Sequence, residues 1–249
     1  MTESSEASAG PFHVSFVEGV TPGKWLRTWD ERMRRTPIEA TMVTDDSQFS
    51  ALYDGTADMA FVRGAVDRDR LHLIALYDEV PVVVVPKEHP VAELAEVDLS
   101  DLSGEQLLNE PVPGWVSTAE PLDFPPMTTK QAIEVIASGT GIVIVPMSVA
   151  RLHRRKDVVS LPVTGVQSTN IGLAWALGNE DPRLETFIGI VRGRTARSSR
   201  EEPTPPQPKK KAPAKTAGKA TAKQKQGTKR LVSKKGTSPR RSGSKRRQR

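Results

Sequence analysis

The chain has 249 residues and a formal charge of +6, and that charge is unevenly divided. Residues 1–200 hold 19 Lys and Arg against 28 Asp and Glu, a net of −9; residues 201–249 hold 17 basic residues against Glu201 and Glu202, a net of +15. The absence of cysteine excludes disulfides, thiolate metal sites and cysteine nucleophiles. The longest apolar run, Val80 to Pro86, is far shorter than the ~20 residues of a bilayer span. MTESSEASAG has no positive n-region and no apolar h-region, so it does not read as a secretory signal. A cytoplasmic protein with no membrane partner is expected.

Residues 1–10 read as a frayed, polar end. Phe12 to Val17 is a strand that ends in Glu18-Gly19-Val20. Thr21 then reads as an N-cap, with Pro22 at the first helical position, where no N–H is needed. Trp25, Leu26, Trp29 and Met33 fall on one face of the helix that follows. Ile38 to Val43 is a second strand. Asp45 or Asp46 caps a short helix carrying Phe49 and Leu52, closed by Gly55. Met59 to Val62 is a third strand, and this β-α-β-α-β order predicts a parallel sheet with packed helices.

Two apolar stretches, Leu71 to Leu76 and Val80 to Val85, follow without a helix between them. His89-Pro90 opens an acidic region, and Leu102 to Leu108 rebuilds structure. A second α/β unit begins near Pro125-Pro126. Thr128 and Gln131 have the spacing of a capping box, and Ile133 and Ile136 supply the buried face. Gly139 ends that helix and Gly141 leads into a strand, Ile142 to Val145. Pro146 starts a helix that runs through Arg155. Asn170 to Leu177 is a further strand, and Asp181-Pro182 caps a last helix with Leu184, Phe187, Ile188 and Val191 at helical spacing.

The four histidines, His13, His72, His89 and His153, have no ligand spacing between any pair, and structural or surface roles are expected for them. Gly-x-Ser-x-Gly and Gly-x-x-x-x-Gly-Lys-Ser/Thr are both missing. Gly139-Thr140-Gly141 lies between a helix and the next strand. A dinucleotide turn requires the opposite order, so a C-cap with a tight turn is expected. With no nucleophile–base pair visible, the sequence points away from an enzyme, and it implies no cofactor and no metal.

Two helix starts invite a ligand reading. Thr21, Gly23 and Lys24 follow the first strand, and Thr128 to Lys130 open the helix of the second unit. Each offers backbone N–H groups at a positive dipole end, a hydroxyl and a lysine, a set suited to a carboxylate. Ordinary capping is the alternative at each.

Several stretches taken together resemble the effector-binding (substrate-binding) domain of LysR-type transcriptional regulators. LYDGTADMAFVR carries Leu52, Gly55, Asp58 and Ala60 in the family's spacing, and VPVVVVPKEHPVAE carries Pro86, His89 and Pro90. DLSDLSGEQLL is similar to the Leu-x-x-Leu segment that follows, and IEVIASGTGIVIVP carries Gly139, Gly141, Ile142 and Pro146. The resemblance covers about residues 11–195. It implies a type 2 periplasmic-binding-protein-like α/β fold: two α/β subdomains joined by crossing strands, with a small-molecule cleft between them. One subdomain is expected at about 11–83 plus 167–197, and the other at 84–166.

By position, the family's pocket falls at Thr21 and Gly23, at Arg63, and around Thr128 and Thr129. Arg63 pairs either with an anionic ligand or with a neighbouring acid. The resemblance thus implies a small anionic effector and a homodimer through the globular domain. Only ten polar residues precede the first strand, too few for the helix-turn-helix that family members carry.

Beyond about residue 198 the composition changes to Lys, Arg, Pro, Ala, Ser, Thr and Gly, with no aromatic residue. Such a segment buries too little apolar surface to offset its ordering entropy, so a disordered basic tail is expected. Its bias is similar to that of tails of histone-like DNA-binding proteins. Candidate phosphate contacts are Lys209, Lys210, Lys211, Lys229, Arg230, Lys234, Lys235, Arg240, Arg241, Lys245, Arg246 and Arg247. The tail spans roughly 40 Å r.m.s., so it can follow DNA or RNA without reading bases. The reading is a small-molecule-sensing domain with a nonspecific nucleic-acid-binding tail. The alternative is a protein-interaction module with a vestigial cleft, whose tail binds RNA or its own acidic domain.

Overall fold

The computed structural model describes residues 10–194. The basic positions from Lys209 to Arg247, and residues 1–9 of the frayed N-terminus expected over residues 1–10, lie outside these residues. In chain order the elements are β1 (Phe12–Val17), α1 (Gly23–Arg32), β2 (Ile38–Val43), α2 (Ser50–Tyr53), β3 (Met59–Arg63), β4 (Leu71–Glu79) and β5 (Pro81–Pro86). There follow β6 (Val97–Asp98), α3 (Thr129–Ile136), β7 (Val143–Pro146), α4 (Met147–Leu152), β8 (Val158–Thr164), β9 (Thr169–Ala176) and α5 (Pro182–Val191). They form two sheets, ordered β2-β1-β3-β9-β4 and β6-β8-β5-β7.

In the first sheet β1 pairs in parallel with β2 and β3, as the β-α-β-α-β reading required, and β9 returns antiparallel between β3 and β4. One face packs α1 and α5 on β1 and β3 through Trp25, Leu26, Trp29, Leu184, Phe187 and Ile188. Trp29 is fully buried and stacks on Phe12 at 4.6 Å. Its indole N–H donates to the Thr36 carbonyl at 2.8 Å, so the ring is buried without an unpaired donor. Leu52 of α2 covers the opposite face with Ala60, Val62 and Leu71.

In the second sheet Val82 and Val84 face α3 and α4. Val83 and Val85 face the covering segment that carries Val97, Leu99 and Leu102. The run Val82 to Val85 is therefore apolar throughout because both faces of the strand are covered.

The structure corrects several boundaries. The N-cap of α1 is Pro22, and Thr21 is exposed and caps nothing. Pro22 already has helical dihedrals and its carbonyl accepts the first bonds, from Trp25 and Leu26. Asp45 and Asp46 lie in a 3-10 turn, and α2 begins only after Phe49. The helix after Pro146 ends at Leu152, not Arg155. β5 pairs in the second sheet from Pro81 onward, so the crossing is at Val80 and not at the expected 83/84 boundary. β8 was not expected at all.

Thr128 and Gln131 do form the capping box, with both reciprocal bonds present. Asp181 caps α5 by accepting from the Arg183 N–H at 2.8 Å. The side-chain hydrogen bond from Arg183 holds the Asp181 carboxyl below its ordinary range. Its stabilising contribution is therefore complete above the unfolded value near ~3.9 and is lost as pH falls through the lower folded value. Asp181→Ala costs about 1 kcal/mol in urea unfolding at neutral pH, and the deficit shrinks at acid pH.

No helix among the described residues is long and apolar enough to cross a membrane.

Candidate functional site

The chain passes between the two sheets twice, at Val80 and within residues 165–168. Glu79 is the last residue of β4 and Thr169 the first of β9, and the two are register partners. Arg63 ends β3, at the carboxyl edge of the parallel strands, where open α/β sheets present their ligand groups. Its backbone N–H donates to Gln48 Oε1 at 2.7 Å.

The Arg63 side chain is committed to groups of this chain. Nε donates to Glu79 Oε2 at 2.6 Å and Nη2 reaches Glu79 Oε1 at 3.3 Å. Nη1 donates to Asp45 Oδ1 at 2.6 Å, and Nη2 also donates to the Glu18 carbonyl at 2.7 Å. Arg63 is only 8% exposed and Glu79 only 5%. Of the two partners open to Arg63, the structure supplies the neighbouring acids. Burial opposes the guanidinium charge, but the Glu79 hydrogen bond and the charges of Asp45 and Glu79 outweigh it and raise its pKa. The Asp45 side chain is 53% exposed; loss of hydration is nonetheless the largest influence on its carboxyl and holds it above the ordinary range against the pull of Arg63.

Glu79 also ties the first sheet to the second. It accepts from the Ser148 hydroxyl of α4 at 2.5 Å and from the Thr169 hydroxyl at 3.2 Å. Gly19, at φ +87°, lies against the same turn of α4: a β-carbon there would stand 2.5 Å from Ser148 Oγ and 2.9 Å from the Val149 nitrogen. His153, just past α4, has Nε2 at 3.5 Å from Glu18 Oε2. The loop after β1, the end of β3 and helix α4 thus meet around one buried carboxylate.

The other expected ligand residues are not brought together. Thr21, Gly23 and Lys24 are exposed at the start of α1. The Thr128 hydroxyl is engaged with Gln131, and Thr129 is the first residue of α3. Among the described residues no hydrogen bond or ion pair joins the two helix starts, and Lys24 and Lys130 make no ion pair. Lys130 lines a shallow depression of about 260 Å³ with Glu134, Leu152, His153, Arg154 and Arg155.

The histidines have structural surroundings: His89 Nδ1 accepts from the Val91 N–H, His72 packs on Trp175, and His13 stands beside Glu39. Among the described residues no group of three or more potential ligands is placed to hold a metal. Gly139 and Gly141 both have left-handed backbone, and a β-carbon at Gly141 would meet the Gln106 carbonyl oxygen at 2.7 Å, as a tight turn between helix and strand requires.

Sequence reasoning missed Glu79, Ser148, Thr169 and Gly19. The available signal was Glu79 itself, an acid directly before Val80, between two apolar runs that must both be buried.

Two α/β units linked by crossing strands, with polar side chains gathered at the link, define the class of two-lobed ligand-binding domains. The chain belongs to the family of the LysR substrate binding domain, whose sequence profile matches residues 6–196. It is 26% identical over 198 residues to the Hca operon transcriptional activator HcaR of Escherichia coli, covering 74% of this chain and 64% of that protein. It is 28% identical over 163 residues to the HTH-type transcriptional regulator CatR of Pseudomonas putida, covering 60% of this chain and 56% of the relative.

The chain therefore spans less than two thirds of the length of these relatives. Among solved structures, the effector binding domain of BenM with its effector benzoate superposes with a TM-score of 0.62 at 20% identity, covering 79% of this chain and 97% of that one. The reduced form of OxyR superposes with a TM-score of 0.60 at 20% identity, covering 75% and 96%. These likenesses establish the fold.

Proposed function

We propose that the chain is a non-catalytic, cytoplasmic regulator: a small-molecule-sensing LysR-type domain held on nucleic acid by its own basic segment. The observation that carries the sensing half is membership of a substrate-binding family, together with polar groups of the first sheet and of α4 gathered where the chain crosses between the sheets. An anionic effector, as the sequence suggested, would find Arg63 already paired. Its charge is better matched by Lys130 and Arg154 in the depression beside α3, which Glu134 also lines. A homodimer through the globular domain is part of the proposal.

The nucleic-acid half rests on the +15 carried by residues 201–249. With no aromatic stacking platform, binding runs on counterion release and is indifferent to sequence. The test is fluorescence anisotropy of two unrelated DNA duplexes against the full chain and a 1–200 truncation through a salt series. Only the full chain should bind, both duplexes equally, with a salt slope of about −9 if ~10 phosphates are neutralised. Equal binding by the truncation, or no binding by either at physiological salt, sinks the nucleic-acid half. A thermal-shift screen with small carboxylates and aromatic acids tests the sensing half. No stabilisation by any compound would favour the second reading, a vestigial cleft in an interaction module, which the closed Arg63 network also supports.

A further inference from the structure

We propose that the region where the chain crosses between the two sheets, at Val80 and residues 165–168 (the hinge), holds a complete carboxylate-binding site and that Glu79 is its resident occupant, a built-in stand-in for an anionic ligand. Three donors from separate segments converge on one carboxylate: the Arg63 guanidinium from β3, the Thr169 hydroxyl from β9 and the Ser148 hydroxyl from α4. Each Glu79 oxygen takes two bonds. Oε1 accepts from Ser148 Oγ at 2.5 Å and Arg63 Nη2 at 3.3 Å; Oε2 accepts from Arg63 Nε at 2.6 Å and Thr169 Oγ1 at 3.2 Å. An arginine fork with two hydroxyls is a set that recognises a free carboxylate, and four bonds saturate it. With Glu79 only 5% exposed, an added carboxylate cannot share the site; it must displace the side chain.

The occupant comes from the residue before the crossing at Val80; two of its donors, Arg63 and Thr169, come from the first sheet and the third, Ser148, from α4, which packs on the second. Filling the site internally thus fastens α4 to the first sheet without a ligand. It also fixes the ligand class at the hinge. Arg63 is neutralised there by Glu79 and by Asp45, so an effector group seated against the hinge is uncharged or cationic, and any anionic group is bound elsewhere. That consequence rests on the sensing proposal, whereas the occupancy itself does not.

The experiment empties the site. Glu79→Ala removes the carboxylate and leaves its donors, so the full-length variant should melt roughly 10 °C below the unaltered protein. Acetate at tens of millimolar should then recover several degrees of that loss, whereas chloride at equal ionic strength should not. The unaltered protein should gain nothing from acetate beyond chloride. In Glu79→Ala/Ser148→Ala the recovery should weaken.

A folded E79A variant with no acetate-specific gain overturns the proposal, as does an equal acetate gain by the unaltered protein. Should E79A not fold, nitrogen NMR of the unaltered protein carries the test. The hydrogen-bonded Arg63 Nε–H resonance, identified by its shift in Glu79→Gln, should be unmoved by acetate or benzoate, and movement overturns the occupancy. Failure of the sensing proposal looks different: no compound stabilises the unaltered protein, while acetate still rescues E79A.

Discussion

Arg63→Met lowers the unfolding free energy by about 3–5 kcal/mol, a loss of the same order as that expected for Glu79→Ala. The reason lies in what the substitution leaves behind. Methionine fills much of the same space, but Glu79, with its side chain 3% exposed, loses the guanidinium that balances it. Two hydroxyls remain on Glu79, from Ser148 and Thr169; they are dipoles and do not replace a full charge. Asp45 behaves differently although it also bonds to Arg63. Its side chain is 53% exposed, so water takes over from the lost partner, and Asp45→Asn costs no more than about 1 kcal/mol. The pair can also be removed together: Arg63→Met with Glu79→Leu costs less than the sum of the single changes, because no buried charge is left alone. Urea unfolding of the four variants measures all of this. A loss below about 1 kcal/mol for R63M would show that water reaches Glu79, and the buried-pair account would fail.

The behaviour of Arg63 shows where sequence reading stops. Local signals carried the elements well: Phe12 to Val17, the Trp25-Trp29 face of α1 and the Thr128–Gln131 box depend on residues a few positions apart, and all are present. The valine run was legible as an apolar stretch, but that it is a strand covered on both faces emerged only from the fold. β8 was missed because Pro162 interrupts the run from Val158 to Val163, and proline argues against a central strand. It nevertheless pairs with both β5 and β6. The partners of Arg63 could not be read locally at all. Asp45, Glu79 and Glu18 are 18, 16 and 45 positions away in the chain, and only the fold decides that two acids reach the guanidinium before any ligand does. The family resemblance pointed to Arg63 as a pocket residue; it carried no information on whether that cation was already paired.

The hinge also predicts that the smallest side-chain change near it will be costly. Gly19→Ala is expected to destabilise by about 2–4 kcal/mol, from a left-handed backbone and an overfilled contact acting together. At φ +87° a β-carbon is disfavoured wherever it points, and here it points 2.5 Å from Ser148 Oγ, 2.9 Å from the Val149 nitrogen and 3.0 Å from the Ser148 carbonyl carbon. Rotating the serine removes the first of these contacts. The other two are backbone, so α4 or the loop after β1 must shift. Either movement pulls Ser148 from Glu79, and a shift of the loop also disturbs the bond from Arg63 to the Glu18 carbonyl. Hydrogen exchange distinguishes this from general loosening: amides of α4 and of the crossing at Val80 should exchange faster in G19A, while β1 and β3 keep their protection at matched stability. Ser148→Ala alone removes one hydrogen bond to a charged group and costs about 1.5–3 kcal/mol. Combined with G19A it should cost less than the sum, since the alanine has already broken that bond. Strict additivity would mean that Gly19 and Glu79 stabilise α4 independently, and the hinge would then be two contacts instead of one coupled site.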